Sequence, residues 1–109
     1  MTDAAVEHLE PVELKRLLDS GRVLLIDVRE PAEYAAARIP GALLYPLSTS
    51  NAKALAGDDG RRVVFHCGSG KRSLTAADKR LATAQRRAVH QRGGLQGWKQ
   101  AALPVLTLA

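Results

Sequence analysis

Two short apolar runs constrain the fold of this chain more than any other feature of its sequence. They are VLLIDV at 23–28 and RVVFH at 62–66, each of strand length and rich in β-branched residues. Continuous rather than alternating hydrophobicity is typical of strands that are buried on both faces, as in parallel sheets covered by helices. We therefore predict two central parallel strands at these positions.

Amphipathic helical patterns lie between and after the two runs. The segment PVELKRLLDSG begins with Pro11, has leucines at helical spacing and ends at Gly21. The segment SLTAADKRLA, at 73–82, begins with Ser73, which is suited to cap a helix. Its apolar stripe is predicted to contain Leu74, Ala77 and Leu81.

Three shorter segments complete the alternation of helices and strands. PAEYAAAR is predicted to be helical, ALLY at 42–45 to be an edge strand, and AVHQ at 88–91 to be a weaker strand. Such alternation favours an α/β fold in which helices cover both faces of a mainly parallel sheet. Ligands of such folds bind beyond the carboxyl ends of the strands.

Length and composition indicate one folded domain. The 109 residues, 46% of them hydrophobic and 25% charged, are enough to bury one core, so we assign 1–109 to a single domain. The first residues are acidic rather than basic, and no apolar run is long enough for a membrane span, so we expect a cytoplasmic protein. The net charge of +5 is spread along the chain without an aromatic platform, which favours a basic, solvated surface over a nucleic-acid site.

The only cysteine, Cys67, is the main candidate for chemistry. A lone cysteine excludes an intramolecular disulfide, a CxxC redox pair and a cysteine-based metal cage. It stands in VVFHCGSGKRS, where a buried strand stops and a helix is about to begin, so main-chain N–H groups and the helix dipole are expected to attract negative charge there. Gly68 and Gly70 allow the backbone to approach closely, and Lys71 and Arg72 add positive field.

This setting predicts a lowered thiol pKa and a nucleophilic thiolate at Cys67. The alternative is a structural cysteine that packs as a small hydrophobe, but two glycines and two cations are not needed to bury a thiol. His66 precedes the cysteine, and since neighbouring strand residues point to opposite faces, it is expected to pack beside the sheet rather than act as a general base. No partner is identified for His8 or His90.

The ordered blocks of the sequence resemble the rhodanese family, the single-domain sulfurtransferases. The blocks are LLIDVREPAEYAAARIPGALLYPL, VVFHCGSGKRS, GGLQGW and a closing LPV, and together they cover nearly the whole chain. The resemblance implies a three-layer α/β/α sandwich around a five-stranded, mainly parallel sheet. It also implies a reaction that needs no cofactor and no metal.

The resemblance further implies that Cys67 carries a persulfide. A sulfane sulfur would pass from thiosulfate, or a related persulfide or polysulfide, to cyanide or a thiol, including a protein cysteine. Main-chain amides would hold the outer sulfur, the two cations would steer the donor anion, and the serine would steady the loop and cap the helix. The substrate-binding residues implied in this way are Gly68, Ser69, Gly70, Lys71, Arg72 and Ser73.

Several further residues are interpreted as architectural. Asp27 and Arg29, two apart at a strand end, are expected to pair with each other or with neighbouring loops. The pair Gly93-Gly94 is interpreted as a turn and Trp98 as a packing anchor near the site.

The chain departs from the usual family pattern at two positions. Ala37-Arg38 stand where Gly-His often precedes IPGA, so the role of that histidine does not transfer, and Arg38 is expected to add positive field at the pocket mouth. Arg92 stands where an acidic residue is frequent, which leaves the local charge pairing open.

Two alternatives to small-molecule sulfur transfer stay open. One is a phosphatase or arsenate reductase of the same fold, although those oxyanion enzymes are associated with five residues between cysteine and arginine, and this loop has four. The other is a sulfur-relay or binding module that docks to a partner and turns over little small-molecule substrate.

Overall fold

The computed structural model describes residues 5–49, 61–81 and 87–107. The strands are β1 Ala5–Leu9, β2 Val23–Asp27, β3 Ala37–Arg38, β4 Leu43–Leu44, β5 Arg62–His66, β6 Arg87–Gln91 and β7 Leu106–Thr107. The helices are α1 Pro11–Asp19, α2 Pro31–Ala36, α3 Lys71–Leu81 and α4 Gly94–Gln100. None of these helices is long and apolar enough to cross a bilayer.

A five-stranded parallel sheet in the order β1-β6-β5-β2-β4 forms the centre of the fold. Both predicted central strands are confirmed, and they pair along their full length, from Val23 opposite Arg62 to Asp27 opposite His66. The predicted edge strand is β4, and the predicted weaker strand is β6, which lies between β5 and β1. A separate antiparallel pair joins β3 to β7.

Strand β1 was not predicted. It lies at the other edge of the sheet and pairs with β6, with His8 opposite His90. Its apolar residues Val6 and Leu9 are separated by Glu7 and His8, so the segment lacks the continuous apolar run that marked the central strands.

The helices cover both faces of the sheet and give the predicted α/β/α layering. On one face, Leu14 of α1 and Trp98 of α4 pack with Leu25 and Val64 of the sheet. On the other, Ala76 and Ala77 of α3 pack with apolar residues of the central strands, and Cys67 belongs to this second cluster. The thiol therefore lies on the α3 side of the sheet.

Helix α3 differs from the prediction in its start and in its buried face. It begins at Lys71, so Ser73 lies within the first turn instead of capping it, while residue 82 of the predicted helix lies outside the described residues. Leu74 is 37% exposed, and the buried side carries Ser73, Ala76, Ala77 and Arg80.

Candidate active site

Cys67 follows β5 directly, and its thiol is enclosed by the loop that leads into α3. The side chain is fully buried, and its Sγ accepts hydrogen bonds from the amide N–H groups of Gly70, at 3.1 Å, and Ser73, at 3.3 Å. The Ser73 Oγ lies 3.6 Å from the same sulfur. Gly70 has a φ of +104°, a conformation that favours glycine and turns the chain into the helix.

These donors determine the ionisation of the thiol. Burial by itself would raise the pKa of Cys67, but hydrogen bonds from the Ser73 hydroxyl and from the amides of Ser73, Gly70 and Ser69 outweigh burial and lower the pKa below its usual value. The lowered pKa agrees with the sequence-based expectation. Its main cause is hydrogen bonding rather than the charges of Lys71 and Arg72.

Helix α4 fixes the direction of the loop. The amide N–H of Leu95 donates to the carbonyl of Cys67 at 2.7 Å, and that of Gln96 donates to the carbonyl of Gly68 at 3.0 Å. Because these carbonyls point towards α4, they do not face the sulfur. The backbones meet so closely that a Cβ atom on Gly94 would lie 2.5 Å from the carbonyl oxygens of both Cys67 and Gly68.

The glycine pair therefore does more than form the predicted turn. Gly93 and Gly94 both have positive φ, and Gly94 begins the helix whose first amides hold the cysteine loop. The sequence signal for this role was the position of the two glycines directly before the helical segment LQGW.

The two cations of the loop have different surroundings. The Arg72 guanidinium forms a two-point ion pair with Glu33 of α2, at 2.7 and 3.0 Å. The hydrogen bond from Arg72 lowers the pKa of Glu33 to about 2, and Glu33 in turn raises the pKa of Arg72. Lys71 and Ser69 are exposed. The seven predicted site residues thus lie in the loop after β5 and in the first turn of α3, and the arginine is paired with a carboxylate.

A rhodanese-like domain model matches residues 10–101, which include the whole cysteine loop and α4. The chain belongs to the rhodanese family. A sulfurtransferase of Allochromatium vinosum is 36% identical over 92 residues, covering 84% of this chain and 86% of the relative. An uncharacterised protein of Synechocystis sp. is 36% identical over 98 residues, which cover 90% of this chain but only 55% of the longer relative.

A solved structure agrees with this assignment. The human single-domain sulfurtransferase TSTD1 is 30% identical and superimposes with a TM-score of 0.72, covering 88% of this chain and 97% of that one. The rhodanese fold predicted from the sequence is therefore confirmed. The family includes proteins named as sulfurtransferases.

Two histidines next to the cysteine loop were missed by sequence reasoning. The Nδ1 of His90, on β6, lies 2.9 Å from the Ser73 Oγ, and its Nε2 lies 2.6 Å from the Nδ1 of His8, on β1. Burial is the largest of the effects that lower the pKa of His90 to about 4, the nearby His8 and Arg92 act in the same direction, and Asp78 opposes them. The pairing of β1 with β6 brings His8 opposite His90. Because β1 was not predicted, the contact between the two histidines could not be expected from the sequence.

A second polar cluster lies on the opposite face of the sheet from the thiol. The Asp27 carboxylate accepts hydrogen bonds from the Arg29 guanidinium at 2.9–3.2 Å, which confirms that these two residues pair. The Nε2 of His66 lies 3.2 Å from Asp27 Oδ2, off the direction of a well-aligned hydrogen bond. Burial opposes ionisation of Asp27, but the contacts with His66 and Arg29 prevail and hold its pKa well below the usual range.

The remaining residues singled out in the sequence have partners outside the cysteine loop. Trp98 is buried and its Nε1 donates to the Pro104 carbonyl at 2.7 Å, as expected of a packing anchor. The Arg38 guanidinium stacks 4.6 Å from the centre of the Tyr34 ring. Its partner is thus an aromatic side chain. Arg92 pairs with Glu10 across an exposed 2.9 Å contact, which resolves the local charge pairing that the sequence left open.

Within residues 5–49, 61–81 and 87–107, no group of three or more His, Cys, Asp and Glu side chains is arranged to hold a metal ion.

Proposed function

We propose that this member of the rhodanese family is a sulfurtransferase that moves a sulfane sulfur from thiosulfate, or a related persulfide or polysulfide, to a thiophilic acceptor through a persulfide on Cys67. The observation that carries the proposal is the set of N–H donors around the Cys67 sulfur, at 3.1 Å from Gly70 and 3.3 Å from Ser73. These donors stabilise negative charge on the sulfur.

The proposed reaction has two displacement steps. In the first, the Cys67 thiolate attacks the sulfane sulfur of thiosulfate, a new S–S bond forms, and the old S–S bond breaks with its electron pair leaving on sulfite. In the second, cyanide or a thiolate attacks the outer sulfur of the persulfide, and the electron pair of the breaking bond returns to Cys67. The enzyme thus alternates between thiolate and persulfide, which predicts ping-pong kinetics.

The loop residues divide this work in the proposal. The amides of Gly68, Ser69, Gly70, Lys71 and Arg72 are assigned to hold the outer sulfur anion, since the loop carbonyls of Cys67 and Gly68 are already bound by α4. Exposed Lys71 is assigned to attract the anionic donor. Ser73, which lies inside the first turn of α3, is assigned to the thiol itself.

The first test is the intact mass of the protein after exposure to thiosulfate. We expect a gain of one sulfur atom that is removed by cyanide, and we expect Cys67→Ser to abolish both the gain and the thiocyanate turnover. A Cys67→Ser/Thr107→Cys double variant is the matched control, because it carries one exposed thiol away from the loop. Absence of the sulfur adduct in the unmodified protein, or its presence in Cys67→Ser, contradicts the proposal.

The same protein preparation separates turnover from relay. Transfer of the bound sulfur to cyanide at a steady rate supports an enzyme of small molecules. An adduct that forms normally, resists cyanide turnover and passes to protein thiols instead identifies a relay module, the second function left open by the sequence.

A further inference from the structure

A continuous row of hydrogen-bonding side chains runs from the thiol to the edge of the sheet. Ser73 Oγ lies 3.6 Å from Cys67 Sγ, His90 Nδ1 lies 2.9 Å from Ser73 Oγ, and His8 Nδ1 lies 2.6 Å from His90 Nε2. The first three residues are buried and His8 is exposed on the edge strand. The two displacement steps described above use neither histidine.

The direction of this row depends on which imidazole nitrogen of His90 carries the proton. The Ser73 hydroxyl has one proton and three acceptors within reach: Gly70 O at 3.2 Å, His90 Nδ1 and Cys67 Sγ. If His90 Nδ1 lacks a proton, it accepts the hydroxyl proton, and Ser73 presents only lone pairs to the sulfur. If His90 Nδ1 is protonated, it donates to the Ser73 oxygen, and the hydroxyl proton is available to the thiolate.

The second arrangement requires a donor to His90 Nε2, and His8 lies in position to be that donor. A neutral His90 with a proton on Nδ1 has a lone pair on Nε2, which His8 Nδ1–H satisfies at 2.6 Å. All three hydrogen bonds then point towards the sulfur, and each polarises the next.

We propose that His8 and His90 are positioning residues that orient the Ser73 hydroxyl towards Cys67 and so stabilise its thiolate. The proposal rests on the proposed function only in taking that thiolate as the nucleophile. His8 in its protonated form can only donate from Nδ1, so protonation preserves the arrangement. The charged groups that act on His90 from the packed elements are Asp78 of α3 and Arg92 beyond β6, with His8 on β1.

The test measures the rate of Cys67 alkylation by iodoacetamide over a pH series, which needs no sulfur donor. In His8→Leu we expect alkylation about three- to tenfold slower at the acid end of the series, where the thiolate is the minor form. His8→Asn places an amide N–H near the position of the imidazole Nδ1, and we expect it to restore the rate. An unchanged rate in His8→Leu, or equal slowing in His8→Asn, overturns the proposal.

A double variant tests whether the effect passes through Ser73. Ser73→Ala keeps the backbone N–H but removes the hydroxyl, so adding His8→Leu to it is expected to slow alkylation no further. Equal slowing by His8→Leu with and without the hydroxyl contradicts the proposal. Unchanged denaturation midpoints in the His8 variants exclude loss of fold, and the sulfur adduct formed from thiosulfate tests the transfer function separately.

Discussion

His66 and Cys67 are neighbours in the chain, yet they belong to two polar sites of opposite design. His66 faces the α1 side of the sheet, where it meets the Asp27–Arg29 ion pair, and all three side chains are almost fully buried. Cys67 faces the α3 side, where its sulfur is surrounded by main-chain N–H groups from Gly70 and Ser73. The alternation of side chains along β5 separates the two sites.

The difference shows how a charge can serve structure or chemistry at the same edge of a sheet. In the Asp27 cluster the negative charge already has a cationic side-chain partner, so the carboxylate is neutralised within the fold. At Cys67 the donors are main-chain N–H groups and the Ser73 hydroxyl, in a loop whose carbonyls are bound by α4, and such neutral donors stabilise an anion without neutralising it. We expect a thiolate there to keep its nucleophilicity, whereas the Asp27 carboxylate stabilises the fold.

The largest expected effect comes from removing the negative charge of the buried Asp27 cluster. Asp27→Asn leaves the Arg29 guanidinium buried without its counter-ion, and we expect a loss of about 3–5 kcal/mol in the free energy of unfolding, measured by urea denaturation. Since the pKa of Asp27 is lowered in the folded state, its stabilising effect is present above the pKa of an unfolded carboxyl group and is lost as pH falls through the folded value. The variant should lose this acid dependence.

The matched control is Asp19→Asn, which removes the exposed ion pair with Lys15. There we expect a change within about 0.5 kcal/mol. Equal effects of the two substitutions would contradict the interpretation that the buried Asp27 cluster stabilises the fold more than an exposed ion pair does.

The second prediction disturbs the backbone around the thiol. Gly94→Ala brings a Cβ to 2.5 Å from the carbonyl oxygen of Gly68, at a residue with a φ of +61°, and we expect a loss of about 2–4 kcal/mol in stability together with slower alkylation of Cys67. Gly21→Ala is the control, because Gly21 also has a positive φ but a Cβ added there would meet no atom within 4 Å. It should lose about 1 kcal/mol and leave alkylation unchanged.

Slower alkylation of the Gly21 variant, or normal alkylation of a folded Gly94 variant, would contradict the inference that the packing of α4 on the loop affects the reactivity of the thiol. Both variants are compared at equal folded fraction, as judged by their denaturation curves.

The smallest expected effect concerns the ion pair between Glu33 of α2 and Arg72 in the first turn of α3. Glu33→Gln removes the partner of Arg72 but keeps a side chain that can accept from the Glu30 amide in the capping box of α2. Because the pair is partly exposed, we expect a stability change below about 1 kcal/mol. The freed guanidinium should lower KM for thiosulfate about two- to threefold with kcat unchanged.

Glu7→Gln is the control for this variant, since it breaks a similarly exposed pair with Arg62 at the other end of the strands. KM should not change in it. A KM for thiosulfate that stays constant in Glu33→Gln, or falls equally in Glu7→Gln, would show that Arg72 does not contact the donor.

Tertiary contacts explain why some of the sequence predictions were incomplete. Lys71 and Arg72 were expected to lower the thiol pKa by charge, but Glu33, from a segment almost forty residues earlier, pairs with Arg72. The serine predicted to cap α3 lies inside its first turn, where it contacts His90. Neither partner is marked by spacing, because each comes from a different strand or helix.

The sequence by itself determined the central strands, the position of Cys67 at a strand end and the glycines that let the loop turn, because continuous hydrophobicity and backbone freedom are local properties. Only the tertiary structure decided what faces the sulfur. The amides of α4 that hold the loop, the carboxylate on Arg72 and the histidines behind Ser73 all arrive through strand register and helix packing. Those arrangements depend on distant segments meeting, which no local pattern in the chain records.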